Sequence, residues 1–204
     1  METDKAMARL LQRQREEMKP LDLSQRYLRE TIHKTYGNKD QFMLTFTCSH
    51  EKLYCKYTWR CILGKAPTLS QINVAYGKNT AAACLVPLLT DVSEFCGCKE
   101  KLSEDQLEEL SYIIAGEYHW LKITEIMLFF WWFKSGKYGK FYGSVDPMIL
   151  TSSLKQFVKD RNAIIAKRDS MELEKKESEW KKIALTYEQW RELHKNDKKS
   201  ESNE

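Results

Sequence analysis

Apolar residues recur three and four positions apart along most of the chain, and this spacing predicts a mostly α-helical protein. A first helix is predicted over residues 4–18, because Pro20 disfavours helix in the residue before it. Ser24 is predicted to cap a second helix over residues 25–36, and Gly37 supplies its stop. The start of the chain is therefore predicted to be a helical extension.

Residues 42–60 fit two kinds of secondary structure. Their partial alternation and their many Phe, Tyr and Thr residues favour strands, with a small β-hairpin around residues 49–51. Continuation as helix explains the same residues nearly as well, so the sequence leaves both alternatives open. Residues 64–67 then predict a turn and a domain boundary.

Helix signals become sharper after Pro67. Capping boxes, in which a Ser or Thr and a Gln three residues later exchange hydrogen bonds with the backbone, are predicted at 68–71 and 103–106. A helix over residues 80–95 carries its apolar residues on one face. Pro87 lies inside that helix and predicts a kink or a break, because proline removes a backbone donor.

Residues 126–133 form the longest apolar run, and the helix that they predict is apolar on every side. Such a helix belongs at the centre of a bundle, so Phe130→Asp or Trp131→Asp is expected to unfold the domain. The pair at 146–147, Asp followed by Pro, predicts the start of a further helix that runs past Arg168.

These elements predict a compact bundle of about five helices, flanked by an N-terminal helical extension and a charged C-terminal helix. After residue 168 the chain is dominated by Glu and Lys and contains no Gly or Pro, as in a solvated helix. The predicted divisions are an extension at 1–66, a helical core domain at 67–168, a charged helix at 169–195 and a disordered tail at 196–204.

Charge is segregated along the 204 residues, although the formal net charge is only +4. Residues 41–80 hold five basic residues and one acidic residue. Residues 81–118 hold two basic and eight acidic residues, and residues 119–142 hold four basic residues and one acidic residue. The weak net charge argues against a histone-like coating of nucleic acid, while a local basic face remains compatible with this net charge.

A bilayer span needs about 20 apolar residues and a signal peptide needs a continuous apolar core. Neither is found in the sequence, so a cytoplasmic protein without membrane contact is predicted.

The sequence offers little chemistry for metal binding or catalysis. The six cysteines lack the paired CxxC-type spacing of structural zinc sites, so free thiols in apolar surroundings are predicted. His119 lies beside Trp120 on a predicted helix, and the chain contains no nucleophile motif and no phosphate-binding glycine loop. We therefore predict no metal ion, no cofactor and no enzymatic activity.

The segment GKYGKFYG at residues 136–143 is the strongest candidate for a binding site. Lysines spaced by three residues alternate with aromatic residues there, and such a loop can hold phosphates while its rings stack on bases. The predicted nucleic-acid-binding residues are Lys134, Lys137, Tyr138, Lys140, Phe141 and Tyr142. The alternative is a simple connection between helices, with its aromatic rings in the core and its lysines in solvent.

The stretch from residue 68 to residue 161, and above all its segment FKSGKYGKFYGSVDP, resembles a family of small proteins from phages and mobile elements of Bacteroides-type bacteria. The layout of a helical core, an aromatic and basic loop and a charged last helix is also similar to small phage replication accessory proteins that load a replicative helicase. These resemblances imply a non-enzymatic accessory protein of DNA replication or processing, with single-stranded DNA or a replicative helicase as its partner.

Two further expectations concern protein partners. The chain is alternatively a protein-binding module or an inhibitor of a host system, without nucleic-acid contact. The C-terminal helix carries a partial apolar stripe that a partner helix or a second copy of the chain could cover. Its members are Trp180, Ile183, Leu185, Trp190 and Leu193.

Overall fold

The computed structural model describes residues 22–184 and 187–193, and the regular elements in this part of the chain are helices. The predicted mostly α fold is confirmed, while the predicted helix at 4–18 lies outside the described residues. The α-helices within these described ranges are α1 Leu23–Tyr36, α2 Lys39–Thr45, α3 Glu51–Cys55, α4 Thr58–Leu63, α5 Leu69–Tyr76, α6 Thr80–Phe95, α7 Glu104–Glu117, α8 Ile123–Lys134, α9 Pro147–Ile183 and α10 Tyr187–Leu193. A short 3₁₀ turn at Cys48–His50 precedes α3.

The β-hairpin considered for residues 42–60 is not formed, because this segment folds as α2, the 3₁₀ turn, α3 and α4. Phe42 and Phe46 are one helical turn apart, both are buried, and their ring centroids lie 4.9 Å from each other. Phe42 also packs against Tyr76 of α5. The alternation therefore reflects aromatic residues that face the core at helical spacing.

Local capping signals explain where several helices begin. The predicted capping boxes at 68–71 and 103–106 are both confirmed by reciprocal hydrogen bonds. The start of α9 is also as predicted, since Asp146 Oδ1 accepts the backbone N–H of Met148 at 2.7 Å. The prediction for α1 is wrong by two residues, because Asp22 rather than Ser24 provides the cap.

Pro87 does not break α6, which runs without interruption from Thr80 to Phe95. The proline side chain is exposed, so its ring lies on the solvent side of the helix. The Cys48 thiol donates a hydrogen bond to the Pro87 carbonyl oxygen at 3.3 Å. The predicted break is therefore wrong, while the alternative of a kink at Pro87 stays a prediction.

Helix α8 lies at the centre of the bundle, as its all-round apolar sequence predicts. Most of its residues are buried, and it packs against α3, α4 and α6. Lys122, just before the helix, donates from Nζ to the carbonyl oxygens of Ile62 and Gly64 at 2.7 and 2.8 Å. The Thr124 hydroxyl donates to the carbonyl oxygen of Cys61 at 2.9 Å. These contacts fix the first turn of α8 against α4.

Among the described residues, those up to 157 form one compact unit, and those from 158 onward form a second. The second unit holds the charged part of α9, where Glu172 pairs with Arg168 at 3.6 Å and with Lys176 at 3.4 Å. Both pairs are one helical turn apart, as expected for a solvated helix. Trp180 is exposed in this helix, and self-association through it stays a prediction. The predicted domain bounds also stay a prediction, and the predicted tail at 196–204 lies outside the described residues.

The six cysteines are free thiols, as the sequence predicts. Three of them are buried and the other three are half-buried, so they behave mainly as small apolar residues. Among the described residues, no helix combines the length and the apolar character that crossing a bilayer requires.

Candidate nucleic-acid interface

The GKYGKFYG loop at 136–143 leaves the C-terminal end of α8 and is tied to it by backbone hydrogen bonds. The N–H of Gly136 donates to the carbonyl oxygen of Phe133 at 2.9 Å, and the N–H of Lys137 donates to that of Trp132 at 3.1 Å. All three glycines of the loop have positive φ angles, a region that other residues rarely adopt. The loop backbone is therefore defined by its glycines and by the end of α8.

Two aromatic residues of the loop anchor it to the core. The centroid of the Tyr138 ring lies 5.9 Å from that of Phe129. The backbone carbonyl oxygen of Tyr138 accepts a hydrogen bond from the Ser153 hydroxyl at 3.2 Å. The Phe141 ring lies 5.2 Å from that of Phe133. Because these two rings pack against α8, their contribution is to hold the loop in place.

The loop is also held by the segment between α6 and α7. The N–H of Val145 donates to the carbonyl oxygen of Glu100 at 3.0 Å, and Ser144 forms an isolated bridge with Glu100. This pairing places Lys99 and Lys101, both exposed, on the backbone segment next to the loop. No sequence pattern links these two lysines to the loop, because they lie about 40 residues away inside an acidic segment.

Three of the predicted side chains project from this anchored loop. Tyr142 is 87% exposed, which is the largest exposure among the exposed aromatic and aliphatic residues of the described chain. Lys137 and Lys140 are exposed as well. The Lys137 ammonium lies 3.5 Å from the centre of the Trp132 ring, a cation–π contact that orients the lysine. The arrangement joins one exposed ring to several cations.

Lys134 lies elsewhere, in a half-buried ion-pair cluster with two carboxylates. Its Nζ donates to Asp91 Oδ2 at 2.5 Å and to Glu51 Oε2. Burial lowers the pKa of Lys134, but the bonds and charges of Asp91 and Glu51 outweigh burial and raise it above its usual value. The ammonium group is therefore charged and already neutralised, which separates Lys134 from the exposed lysines of the loop.

A second exposed basic and aromatic surface lies on α3 and α4. The Arg60 guanidinium lies 4.8 Å from the centre of the Tyr57 ring and 5.1 Å from that of the Trp59 ring. Lys52 and Lys56 are exposed nearby in sequence. Glu51 is the only acidic residue of residues 41–80, and it is buried. No exposed acidic residue of this segment therefore offsets the positive charge of its basic residues. That charge pattern was the one signal in the sequence for this surface.

The comparisons with known proteins leave the function open. Residues 101–199 match a family of unknown function (DUF6633), which is just under half of the chain. No match is found among curated proteins, and none is found among solved structures. The matched region contains the GKYGKFYG loop and α9, but neither a phage or Bacteroides-type origin nor a relation to helicase loaders follows from it. The C-terminal half of the chain is thus similar to a family whose role is not known.

Proposed function

We propose that the protein is a non-enzymatic accessory protein that binds single-stranded nucleic acid through its GKYGKFYG loop. The observation that carries this proposal is the 87% exposure of Tyr142 on a loop whose backbone is anchored on both sides. Exposing a tyrosine ring to this extent gains nothing for folding, whereas a base can stack on it. Lys137 and Lys140 lie within five residues of it and supply charges for the phosphates.

The biological setting is part of the same proposal and rests on the sequence resemblance alone. A phage or mobile element that replicates or processes its DNA exposes single strands, and an accessory protein with a small sequence-independent grip would serve there. A replicative helicase is the protein partner that this setting suggests. The modest number of exposed lysines in the loop fits a weak, salt-sensitive contact.

The loop proposal is tested by titrating fluorescently labelled oligo(dT) with the protein at several salt concentrations. The pair Lys137→Ala and Lys140→Ala is expected to flatten the slope of log affinity against log salt by about 1.4, or about 0.7 for each phosphate contact. Tyr142→Ala is expected to weaken binding by about 1–3 kcal/mol without changing the slope, because a stacked ring carries no charge.

Matched controls separate this result from general effects of charge. Lys34→Ala with Lys65→Ala removes two exposed lysines outside the loop and should leave the slope nearly unchanged. Tyr142→Phe keeps a ring and should bind like the parent protein. Equal effects of the two lysine pairs, or no binding by the parent at about 50 mM salt, would refute the loop as a nucleic-acid site.

One observation favours a second candidate function, a protein-binding module. Trp, Tyr and Arg are the residues most enriched at the energetic centres of protein interfaces, and Tyr57, Trp59 and Arg60 form one exposed cluster. The basic charge around this cluster is complementary to an acidic partner surface. This candidate needs no nucleic-acid contact and uses a surface other than the loop.

Substitution of Trp59 in the exposed cluster of Tyr57, Trp59 and Arg60 distinguishes the protein-binding function from the nucleic-acid-binding function. For a partner protein that copurifies with the chain, Trp59→Ala is expected to weaken the measured affinity by about 2 kcal/mol or more, as at an interface centre. Trp59 is 55% exposed, so the fold should tolerate the change. Tyr142→Ala is the matched control and should leave this affinity unchanged. Loss of partner binding only in Tyr142→Ala would instead assign the protein interface to the loop.

A further inference from the structure

A pocket of about 550 Å³ opens beside the Lys134 cluster, at the end of α8. It is bordered by the 3₁₀ turn and the start of α3, by the last two turns of α6, and by the last turn of α8. Among the residues that line it are Cys48, Glu51, Asp91, Phe95, Trp131 and Lys134. The pocket lining combines charged side chains with aromatic ones, and the loop function described above makes no use of it.

Glu51 gives this pocket an unsatisfied hydrogen-bond acceptor. Its side chain is 3% exposed, its Oε2 accepts from Lys134, and its Oε1 is buried without a hydrogen-bond partner. Leaving a charged acceptor unpaired in the interior costs free energy, since a carboxylate can accept about four hydrogen bonds. Because Glu51 lines the pocket, a small rotation of its carboxylate would present this oxygen to a donor that enters there, so the acceptor points to a ligand that carries N–H groups.

The charges of the residues that line the pocket favour a cation. Glu51 and Asp91 carry two negative charges against the single positive charge of Lys134, which leaves the cluster with one net negative charge. Burial, together with the charges of Asp91 and Glu51, raises the pKa of the Cys48 thiol to about 11, so this group adds no charge at neutral pH. Lys52 also lines the pocket, but its side chain is exposed, where water screens its charge.

The aromatic residues add a preference for a flat group. Phe95 is 63% exposed although it is a large apolar residue at the end of α6, and Trp131, which also lines the pocket, is half-buried. Lys134 Nζ already lies 5.9 Å from the centre of the Phe95 ring, so a cation is accommodated near this face. A planar cation could stack on these rings while its N–H groups reach the carboxylates.

We propose that this pocket binds a guanidinium or amidinium group. Such a group is flat, permanently charged at neutral pH, and carries several N–H donors in a rigid fork that matches carboxylate geometry. One N–H would donate to Glu51 Oε1 and another to Asp91, which is accessible because its side chain is 39% exposed. Either a small guanidino compound or the arginine side chain of a partner protein presents this chemistry.

The proposal is tested by isothermal titration calorimetry of the full chain with benzamidine. Benzamidine should bind, and benzamide, which has nearly the same shape without the charge, should bind at least about tenfold more weakly, as expected for a lost charge-assisted hydrogen bond. Equal binding of the two compounds would overturn the assignment. The absence of benzamidine binding at millimolar concentration would overturn it as well.

Substitutions locate the binding within the pocket. Glu51→Gln should weaken benzamidine binding by at least about tenfold. Phe95→Ala should weaken it several-fold without lowering the melting temperature, because the Phe95 side chain is mostly exposed. This second variant keeps the test decisive if Glu51→Gln does not fold. Unchanged binding in folded Glu51→Gln or in Phe95→Ala would show that the ligand lies elsewhere.

Two further probes distinguish the sources of the guanidinium group. Agmatine represents a small guanidino compound, and a short peptide with one central arginine represents a partner side chain. Tighter binding of the peptide would assign the pocket to a protein partner, and tighter binding of agmatine would assign it to a small molecule. If neither binds while the parent binds benzamidine, the site accepts only an aromatic amidine and the guanidinium assignment fails.

Discussion

Lys134→Met is expected to lower the free energy of unfolding by about 3–5 kcal/mol, because it removes the partner of a buried carboxylate. Glu51 is 2% exposed, and without Lys134 its two carboxylate oxygens would have no described donor. The methionine side chain fills most of the same space, so the loss reports the uncompensated charge rather than a cavity. Urea denaturation of parent and variant measures the difference.

The double variant Glu51→Gln with Lys134→Met tests this explanation. It removes both charges, so most of the lost stability should return, since a neutral pair of similar volume avoids the cost of a buried charge. Lys140→Met is the matched control in the loop beyond the end of α8, where the side chain is exposed and the free energy of unfolding should change by less than about 0.5 kcal/mol. A double variant as unstable as Lys134→Met would attribute the loss to packing.

The pH dependence gives a second check on the role of Glu51. Burial raises the pKa of Glu51 above its ordinary 4.5, although Lys134 opposes the shift. A raised carboxyl pKa favours folding below the unfolded value, and that contribution is lost as pH rises through the folded value. Without Lys134 the folded pKa is expected to rise further. The deficit of Lys134→Met should therefore shrink as pH falls toward 4.5, and a constant deficit would argue against a buried charge.

Features that depend on neighbouring residues could be predicted from the sequence. The capping boxes at 68–71 and 103–106 involve side chains and backbone groups only three residues apart, so the residue types alone define them. The start of α9 at Pro147 and the burial of most of α8 follow from equally local patterns. Element type and position were therefore reliable wherever a cap and a periodic apolar face coincided.

Features that depend on distant residues could not be predicted in this way. The choice of helix for residues 42–60 is made by contacts of Phe42 and Phe46 with Tyr36 and Tyr76, and the alternating pattern itself is compatible with strands. Lys134 lies 83 residues from Glu51 and 43 residues from Asp91, so no spacing motif signals their cluster. The sequence prediction placed Lys134 with the loop lysines only because these residues are close together along the chain.

The residues of the candidate site show the same difference between local and distant determinants. The exposure of Tyr142 and the anchoring by Tyr138 and Phe141 could not be separated in the sequence, where the three aromatic residues look alike. The difference arises because Tyr138 and Phe141 can reach the rings of α8, whereas Tyr142 lies just before the segment that pairs with Glu100. The alternation of lysine and aromatic residues thus combines an anchor and an exposed ring in one loop.

Phe130→Ala is expected to destabilise the fold strongly, by about 3–5 kcal/mol, because it opens a cavity at the centre of the bundle. Phe130 is fully buried, and its ring centroid lies 5.0 Å from that of Phe129. The loss is measured by urea denaturation monitored by circular dichroism. If the free energy of unfolding falls by less than about 1 kcal/mol, then α8 is not the centre of the core.

Trp131→Ala should behave differently, although the sequence pattern assigned both residues to one buried helix. Successive residues on a helix point about 100° apart, and Trp131 is half-buried at the border of the pocket while Phe130 points inward. We expect Trp131→Ala to cost about 1–2 kcal/mol, in keeping with partial burial, and to weaken benzamidine binding in the folded protein. A loss of stability equal to that of Phe130→Ala would show that the tryptophan serves the core rather than the pocket.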